Sequence, residues 1–202
     1  MSEFWNARYR AAPEAFGAAP NDFLAGCAGM LPRAGRALVP GDGQGRNGLW
    51  LARRGLRPLL VDLSEVGLAQ ARERAAAEGL AIETRRADIA EIASPGAFAL
   101  CASIFVHLPP ERRAAGHARM AEALAPGGLL ILESYAPGHE ILRAEHQSGG
   151  PPDPAMLHAP EALRGDFAGL EELFLEVIER RLAEGRFHDG PGRVVRAIFR
   201  KP

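Results

Sequence analysis

The chain has 202 residues, 47% of them hydrophobic, with 24 Lys and Arg against 25 Asp and Glu and a formal net charge of −1. That length suits one domain, 1–202, with a sizeable core. The charge balance excludes a global pull toward nucleic acid or an anionic membrane, and no apolar run approaches the roughly 20 residues of a membrane span. Lys201 is the only lysine, which excludes a P-loop, a Schiff-base lysine and a central catalytic lysine.

Residues 1–35 read as a helical lead-in that acts as a lid, with Trp5, Tyr9 and Phe16 near one face. The start, Met1-Ser-Glu-Phe-Trp-Asn6, lacks the pattern of a signal peptide. With only Cys27 and Cys101 as thiols, a reducing, cytoplasmic setting is expected. Pro20-Asn-Asp-Phe-Leu24 opens a second helix capped by Asn21 or Asp22.

Arg36–Pro40 is an apolar strand, followed by Gly41-Asp-Gly-Gln-Gly45 and a helix from Arg46 to Arg54. A strand, a glycine turn and a helix start let backbone approach a ligand closely at the carboxyl end of the strand. The literal G-x-G-x-x-G, Gly43 to Gly48, would suggest a dinucleotide and a nicotinamide-dependent oxidoreductase. The register favours another ligand. The strand ends at Pro40, so the first turn glycine is Gly41, and Arg46 stands where a dinucleotide site wants its third glycine. G-x-G-x-G suits a smaller cofactor with one ribose and no phosphate, such as S-adenosylmethionine. A second strand, Arg57–Val61, ends at Asp62, an acid placed to accept bonds from a ribose diol.

Further along, Ser64 caps a helix over Glu65–Glu78, Ala81–Arg85 is a strand followed by Ala87-Asp88, and Phe98–Phe105 is an apolar strand. Pro110–Leu124 is a helix, Pro126-Gly-Gly128 a turn, and Leu129–Glu133 a strand. This alternation predicts a parallel sheet covered on both faces. Residues 36–135 form a cofactor-binding core. Residues 136–202 differ: a long loop over 137–160, a short helix over Pro160–Phe167, and two antiparallel strands, Leu173–Leu182 and Val194–Arg200, joined through a glycine-rich connection.

As an ordered set, Leu38-Val-Pro-Gly-Asp-Gly-Gln-Gly45, Val61-Asp-Leu-Ser64, Ala87-Asp-Ile89, Ser103-Ile-Phe-Val-His-Leu108 and Leu124-Ala-Pro-Gly-Gly128 resemble the class I S-adenosylmethionine-dependent methyltransferases. Phe4-Trp-Asn-Ala-Arg-Tyr9, Phe16-Gly17, Pro20-Asn-Asp-Phe-Leu24, Gly45-Arg-Asn47 with Trp50-Leu-Ala52, and Gly185-Arg-Phe-His188 are similar to the tellurite-resistance and thiopurine S-methyltransferase branch. The resemblance implies an α/β, Rossmann-like three-layer sandwich with a seven-stranded sheet of order 3-2-1-4-5-7-6 and strand 7 antiparallel. It implies S-adenosylmethionine as cofactor and S-adenosylhomocysteine as product. Gly41 and Gly43 would pass under the methionine part, Asp62 would hold the ribose, and Leu63 would lie against the adenine. Asp88 would accept from the adenine amino group, with Ile89 on the ring. Ile104 would border the sulfonium, and Trp5, Arg8 and Tyr9 would fold over the cofactor, Arg8 pairing with its carboxylate. Two positions depart from the family pattern: Val39 and Ala99 stand where acids are frequent. Asp42 is placed to compensate for the first, and a noncatalytic cofactor-binding module is the reading those departures favour.

Methyl transfer asks the protein mainly to position a nucleophile and exclude water. His107, after strand 4, is the candidate base or substrate contact; Tyr135 and His188 are candidates for lining the substrate site. His139, His146 and His158 lack the tight spacing of metal ligands, and no metal is expected. The expected acceptor is a small molecule (a thiol, a thiopurine-like compound or a chalcogen oxyanion), with the chain acting as a monomer or homodimer and with no nucleic-acid or membrane partner.

Overall fold

The computed structural model describes residues 2–12 and 14–202. Seven strands form one sheet in the order β3-β2-β1-β4-β5-β7-β6. They are β1 (Arg36–Pro40), β2 (Arg57–Asp62), β3 (Glu83–Arg86), β4 (Phe98–Ile104), β5 (Leu124–Tyr135), β6 (Glu171–Ala183) and β7 (Asp189–Arg200). The first five run parallel, and β7 is antiparallel to both β5 and β6. This is the Rossmann-like methyltransferase fold that the motif order implies.

The helices are α1 (Ser2–Ala11), α2 (Asp22–Gly26), α3 (Arg46–Arg53), α4 (Glu65–Ala77), α5 (Pro110–Ala123), α6 (His139–His146) and α7 (Pro160–Asp166). Side chains alternate between sheet faces, so both faces need cover. Leu38, Leu59, Phe98 and Leu130 pack with Met120 of α5 and Leu163 of α7 on one face. Ala37, Val39, Leu100, Ala102 and Ile131 pack with Leu24 of α2 and Leu51 of α3 on the other. Val39 is thus part of the core. Asn21 is the cap of α2, its carbonyl oxygen accepting from Leu24 N at 3.0 Å. No helix among the described residues is long and apolar enough to cross a membrane, and Cys27 and Cys101 are buried free thiols.

Three differences from the sequence reading bear on the site. The Pro126-Gly-Gly128 turn lies within β5, where pairing with β4 shifts register between Phe98 and Leu100. The segment 137–160 is ordered by α6 and a 3-10 turn over Pro154–Met156. The terminal hairpin is longer than expected, so its connection contracts to Glu184–His188. That connection docks on the lead-in. Gly185, with φ +84, lies so close to Phe16-Gly17 that a Cβ there would sit 2.2 Å from Gly17 N, and Phe187 N donates to Ala15 O at 3.3 Å. The hairpin tip is thereby brought to the carboxyl ends of β1, β2 and β4.

Candidate functional site

β1 delivers the chain at Pro40 into the turn over 41–45. Gly43 has φ +48, and a Cβ on it would lie 2.0 Å from the Tyr9 hydroxyl, so only glycine fits there. Asp62, at the end of β2, accepts from Gly43 N at 2.9 Å and from Ser64 N at 2.8 Å, tying the turn to the second strand. Asp42 turns inward and accepts from Asn47 N at 3.2 Å, Asn47 Nδ2 at 3.0 Å and Gly48 N at 2.7 Å. Its carboxylate caps α3. Burial pushes both carboxyls up to about 6, against backbone N–H bonds that lower them.

Above this floor lies a cleft of about 150 Å³, bounded by Asp62 and Leu63 at the end of β2, Asp88 and Ile89 after β3, and Ile104 to Pro109 at the end of β4. Asp88 Oδ1 accepts from Ala90 N at 2.9 Å, and Oδ2 faces Arg112 at 3.1 Å. Trp5, Tyr9 and Phe16 close the opposite side as one aromatic group with ring centroids 6.1–6.3 Å apart. Two amides hold this lid down. Asn6 Oδ1 accepts from Ser64 Oγ at 2.7 Å. Gln44 accepts from Ala15 N at 2.9 Å and donates to Ala12 O at 3.0 Å.

Of the residues singled out from sequence, Trp5, Tyr9, Gly41, Asp42, Asp62, Leu63, Asp88, Ile89, Ile104, His107 and His188 line this one cleft. Gly43 does not face it, because Tyr9 covers its Cα. Arg8 is also outside the wall. Its guanidinium lies over the Phe187 ring at 4.3 Å and the Phe4 ring at 4.8 Å, a cation–π seat on the outer side of the lid. Tyr135 stands one layer back, stacked on His139 at 3.9 Å and behind Phe105 at 4.8 Å and His188 at 5.6 Å.

His107 needs a correction. Nδ1 lies 2.8 Å from Met156 O and Nε2 accepts from Tyr135 N at 3.2 Å, which assigns the proton to Nδ1. Both nitrogens serve the backbone, and burial pulls the imidazole down to about 4. His107 is a neutral wall residue that pins the Pro154–Met156 turn, with no nitrogen left to take a proton. His188 sits edge-on between Phe105 at 4.4 Å and Phe16 at 4.7 Å, and its Nδ1 is buried without a partner. Burial, and next the Arg46 charge, hold it well below the ordinary histidine value. His139 is committed to Gly149 O at 3.1 Å. Among the described residues no three histidine, cysteine or acidic side chains converge as metal ligands would.

Sequence reasoning missed Arg46, Gln44 and Phe105 in the wall. Phe105 has φ +53, a conformation that bulky side chains rarely adopt and that collects at functional sites. Arg46 pairs with Glu184 at 2.6 Å, and beneath them Arg180 bridges Glu184 and Glu133, the latter at 2.7 Å. These contacts join positions 138 and 47 residues apart in the chain, so no local signal marks them.

Residues 37–128 match the family model described as a methyltransferase domain. No curated protein matches the sequence significantly. Among solved structures, the chain superposes along its whole length, with a TM-score of 0.79 and 23% identity, on 91% of a protein from work on conversion of a disulfide bond into a thioacetal group during echinomycin biosynthesis. It superposes, again over its whole length, on 67% of TehB from Haemophilus influenzae, with a TM-score of 0.75 and 21% identity. With magnesium protoporphyrin IX methyltransferase from Synechocystis PCC 6803, which carries bound S-adenosylhomocysteine, 88% of this chain aligns on 78% of that one at a TM-score of 0.65 and 20% identity.

Proposed function

We propose that this chain, whose residues 37–128 match the model of a methyltransferase domain, is an S-adenosylmethionine-dependent methyltransferase acting on a small molecule. One observation carries the reading. Asp62 anchors the glycine turn by its bond from Gly43 N at 2.9 Å and still faces the cleft. The residues fit a single nucleoside with an amino-acid arm. Val106 and Tyr9 already occupy the space that side chains at Gly41 and Gly43 would need, so the turn is kept bare by construction.

S-adenosylmethionine, when bound, supplies a methyl group already activated on a sulfonium. What remains for the chain is binding, orientation and exclusion of water. The Asp62 carboxylate would accept from the ribose hydroxyls, Leu63 and Ile89 would pack on the adenine, and Asp88 would accept from its amino group. Trp5, Tyr9 and Phe16 shut the cleft, and Ile104 to Leu108 form the wall toward the acceptor. Every carboxylate in that wall already accepts bonds from the protein, and His107 is spent, leaving His188 as the imidazole with an uncommitted nitrogen. A wall so poor in bases suits an acceptor that arrives ionised or as a soft nucleophile: a thiolate, a thiopurine-like sulfur or a chalcogen oxyanion.

Calorimetric titration with S-adenosylhomocysteine, with NADH in parallel, tests the reading. Binding of the first alone, in the micromolar range typical of such sites (about −8 kcal/mol), is expected. Binding of NADH alone overturns it.

Affinity should also depend on pH with a definite sign. Asp62 must be ionised to accept from the ribose, so affinity stays flat at neutral pH and falls below about 6, approaching tenfold per pH unit for one required deprotonation. Stability behaves differently. The raised Asp42 and Asp62 favour the fold as pH falls from about 6 toward 3.8, whereas His107 withdraws support between its ordinary 6.5 and about 4. The two opposite trends overlap, so circular dichroism at each pH separates lost affinity from unfolding. Affinity unchanged from pH 7.5 to 5 in the folded protein contradicts the Asp62 assignment.

A further inference from the structure

Three imidazoles stand in a row behind the cleft wall. His107, in the loop after β4, lies 5.0 Å from His158 between ring centroids, and His158 lies 5.1 Å from His117 of α5. Each ring fastens distant segments together. His107 Nδ1 donates to Met156 O at 2.8 Å. His158 Nδ1 bonds Ser134 Oγ of β5 at 2.8 Å, and its backbone N donates to Tyr135 O at 2.9 Å. His117 Nδ1 donates to Asp166 of α7 at 2.7 Å, and its ring stacks on Phe167 at 4.8 Å. The row thus ties 154–167, which carries the 3-10 turn and α7, to α5, β5 and the cleft wall. His117 and His158 are buried, and the Nε2 atom of each has no partner. The charges around the row oppose a proton. His158 faces His107 from the β4–α5 loop, His117 and Arg113 from α5, and the neutral Ser134 from β5, while His139 of α6 bears on His107. The acid that the row contacts, Asp166, already accepts from Arg113 Nε at 2.8 Å. Burial, and next the neighbouring imidazoles, hold His158 well below the ordinary histidine value. Burial also lowers His117, and takes His107 to about 4.

We propose that this row is an acid-released latch: by taking up protons, the three imidazoles let 154–167 leave α5 and β5 while the central sheet stays folded. In the closed state an added proton meets buried, like-charged surroundings. Once the segment opens, each ring meets water and regains the ordinary value near 6.5. Protons therefore bind the open state and not the closed one. All three folded values lie below the ordinary one, so the support the row gives is full above pH 6.5 and is lost as pH falls. For each ring released, the opening equilibrium rises about 20-fold from pH 7 to pH 5. Met156 leaves His107 in the same opening, so the loop that lines the cleft from Phe105 to Pro109 loses its backing. The latch stands on the geometry of the row, whatever the cleft binds; its consequence for an acceptor rests on the methyltransferase reading.

Native-state hydrogen exchange of the full chain at pH 7 and pH 5, corrected for intrinsic exchange rates and repeated in low urea, tests the latch. The amides of His158, Leu163 and Phe167 donate to Tyr135 O, Ala159 O and Leu163 O. They should lose protection by at least about 20-fold between the two pH values. The opening responsible should be local, so urea below the unfolding transition should not promote it. Amides of β1 and β4 should exchange only by the urea-promoted global route. His158→Phe keeps a planar ring in the row and removes one titrating group, so its acid-induced loss should be smaller by about 20-fold, one ring's share. Should that variant fail to fold, the wild-type comparison decides alone. Protection of these three amides that is unchanged from pH 7 to pH 5 overturns the proposal. So does their exchange together with β1 and β4 in one urea-promoted event, which makes the row part of global acid unfolding. A loss of wild-type size in folded His158→Phe overturns it as well.

Discussion

Asp62→Ala should lower affinity for S-adenosylhomocysteine about a hundredfold or more while leaving a folded protein. The ribose loses bonds to a charged acceptor worth roughly 1.5–3 kcal/mol each, and the turn loses the acceptor for Gly43 N and Ser64 N. Those two amides regain water only in part, so a fall in melting temperature of a few degrees should accompany the loss, at about 2–4 °C per kcal/mol for a chain of this size. Calorimetry reads the first effect and a thermal melt the second. Asp62→Asn is the informative companion. It keeps the shape but presents an amide N–H to either Gly43 N or Ser64 N, so it should not restore binding. Wild-type affinity in Asp62→Ala would remove Asp62 from the site.

Glu133→Ala should be the most destabilising single change in the polar interior. Glu133 is fully buried and accepts from Asn21 Nδ2 at 2.9 Å and Arg180 Nε at 2.7 Å, with Arg196 at 3.5 Å. Removing it strands positive charge in the core, a change that costs about 3–5 kcal/mol and should lower the melting temperature by about 10 °C or more. Urea unfolding of wild type and variant gives the difference directly. A loss under about 1 kcal/mol would place Glu133 with ordinary exposed ion pairs and contradict the network. The effect should reach the site too, because Asn21 also donates to Glu184 at 3.0 Å, and Glu184 orients Arg46.

The two predictions differ in how they could be found. Asp62 is legible because its constraint is local: an apolar run ends in an acid about twenty residues after a glycine turn, and that spacing is fixed by one β-α-β unit. Glu133 reads from the sequence only as the last residue of a strand. His107 shows the limit of position as a guide. Its place after β4 is where a base would be useful, yet a backbone carbonyl at Met156 and a backbone amide at Tyr135 take both its nitrogens. Arg8 shows the same limit, since its aromatic neighbours include Phe187, far along the chain.

The sheet order 3-2-1-4-5-7-6 is what the resemblance to a known family implies, whereas the sequence by itself determines the alternation of strands and helices, the bare glycine turn and the acids at the ends of β2 and β3. These follow from hydrophobic period, caps and turn chemistry, which act over a few residues. The tertiary structure decides which groups remain chemically free. The β6–β7 hairpin brings Glu184 and His188 under the lead-in, pairs Arg46 on one side only, and spends His107 on the backbone. Ion pairs and hydrogen bonds act over about 3 Å, and which atoms come within that range depends on how distant segments pack.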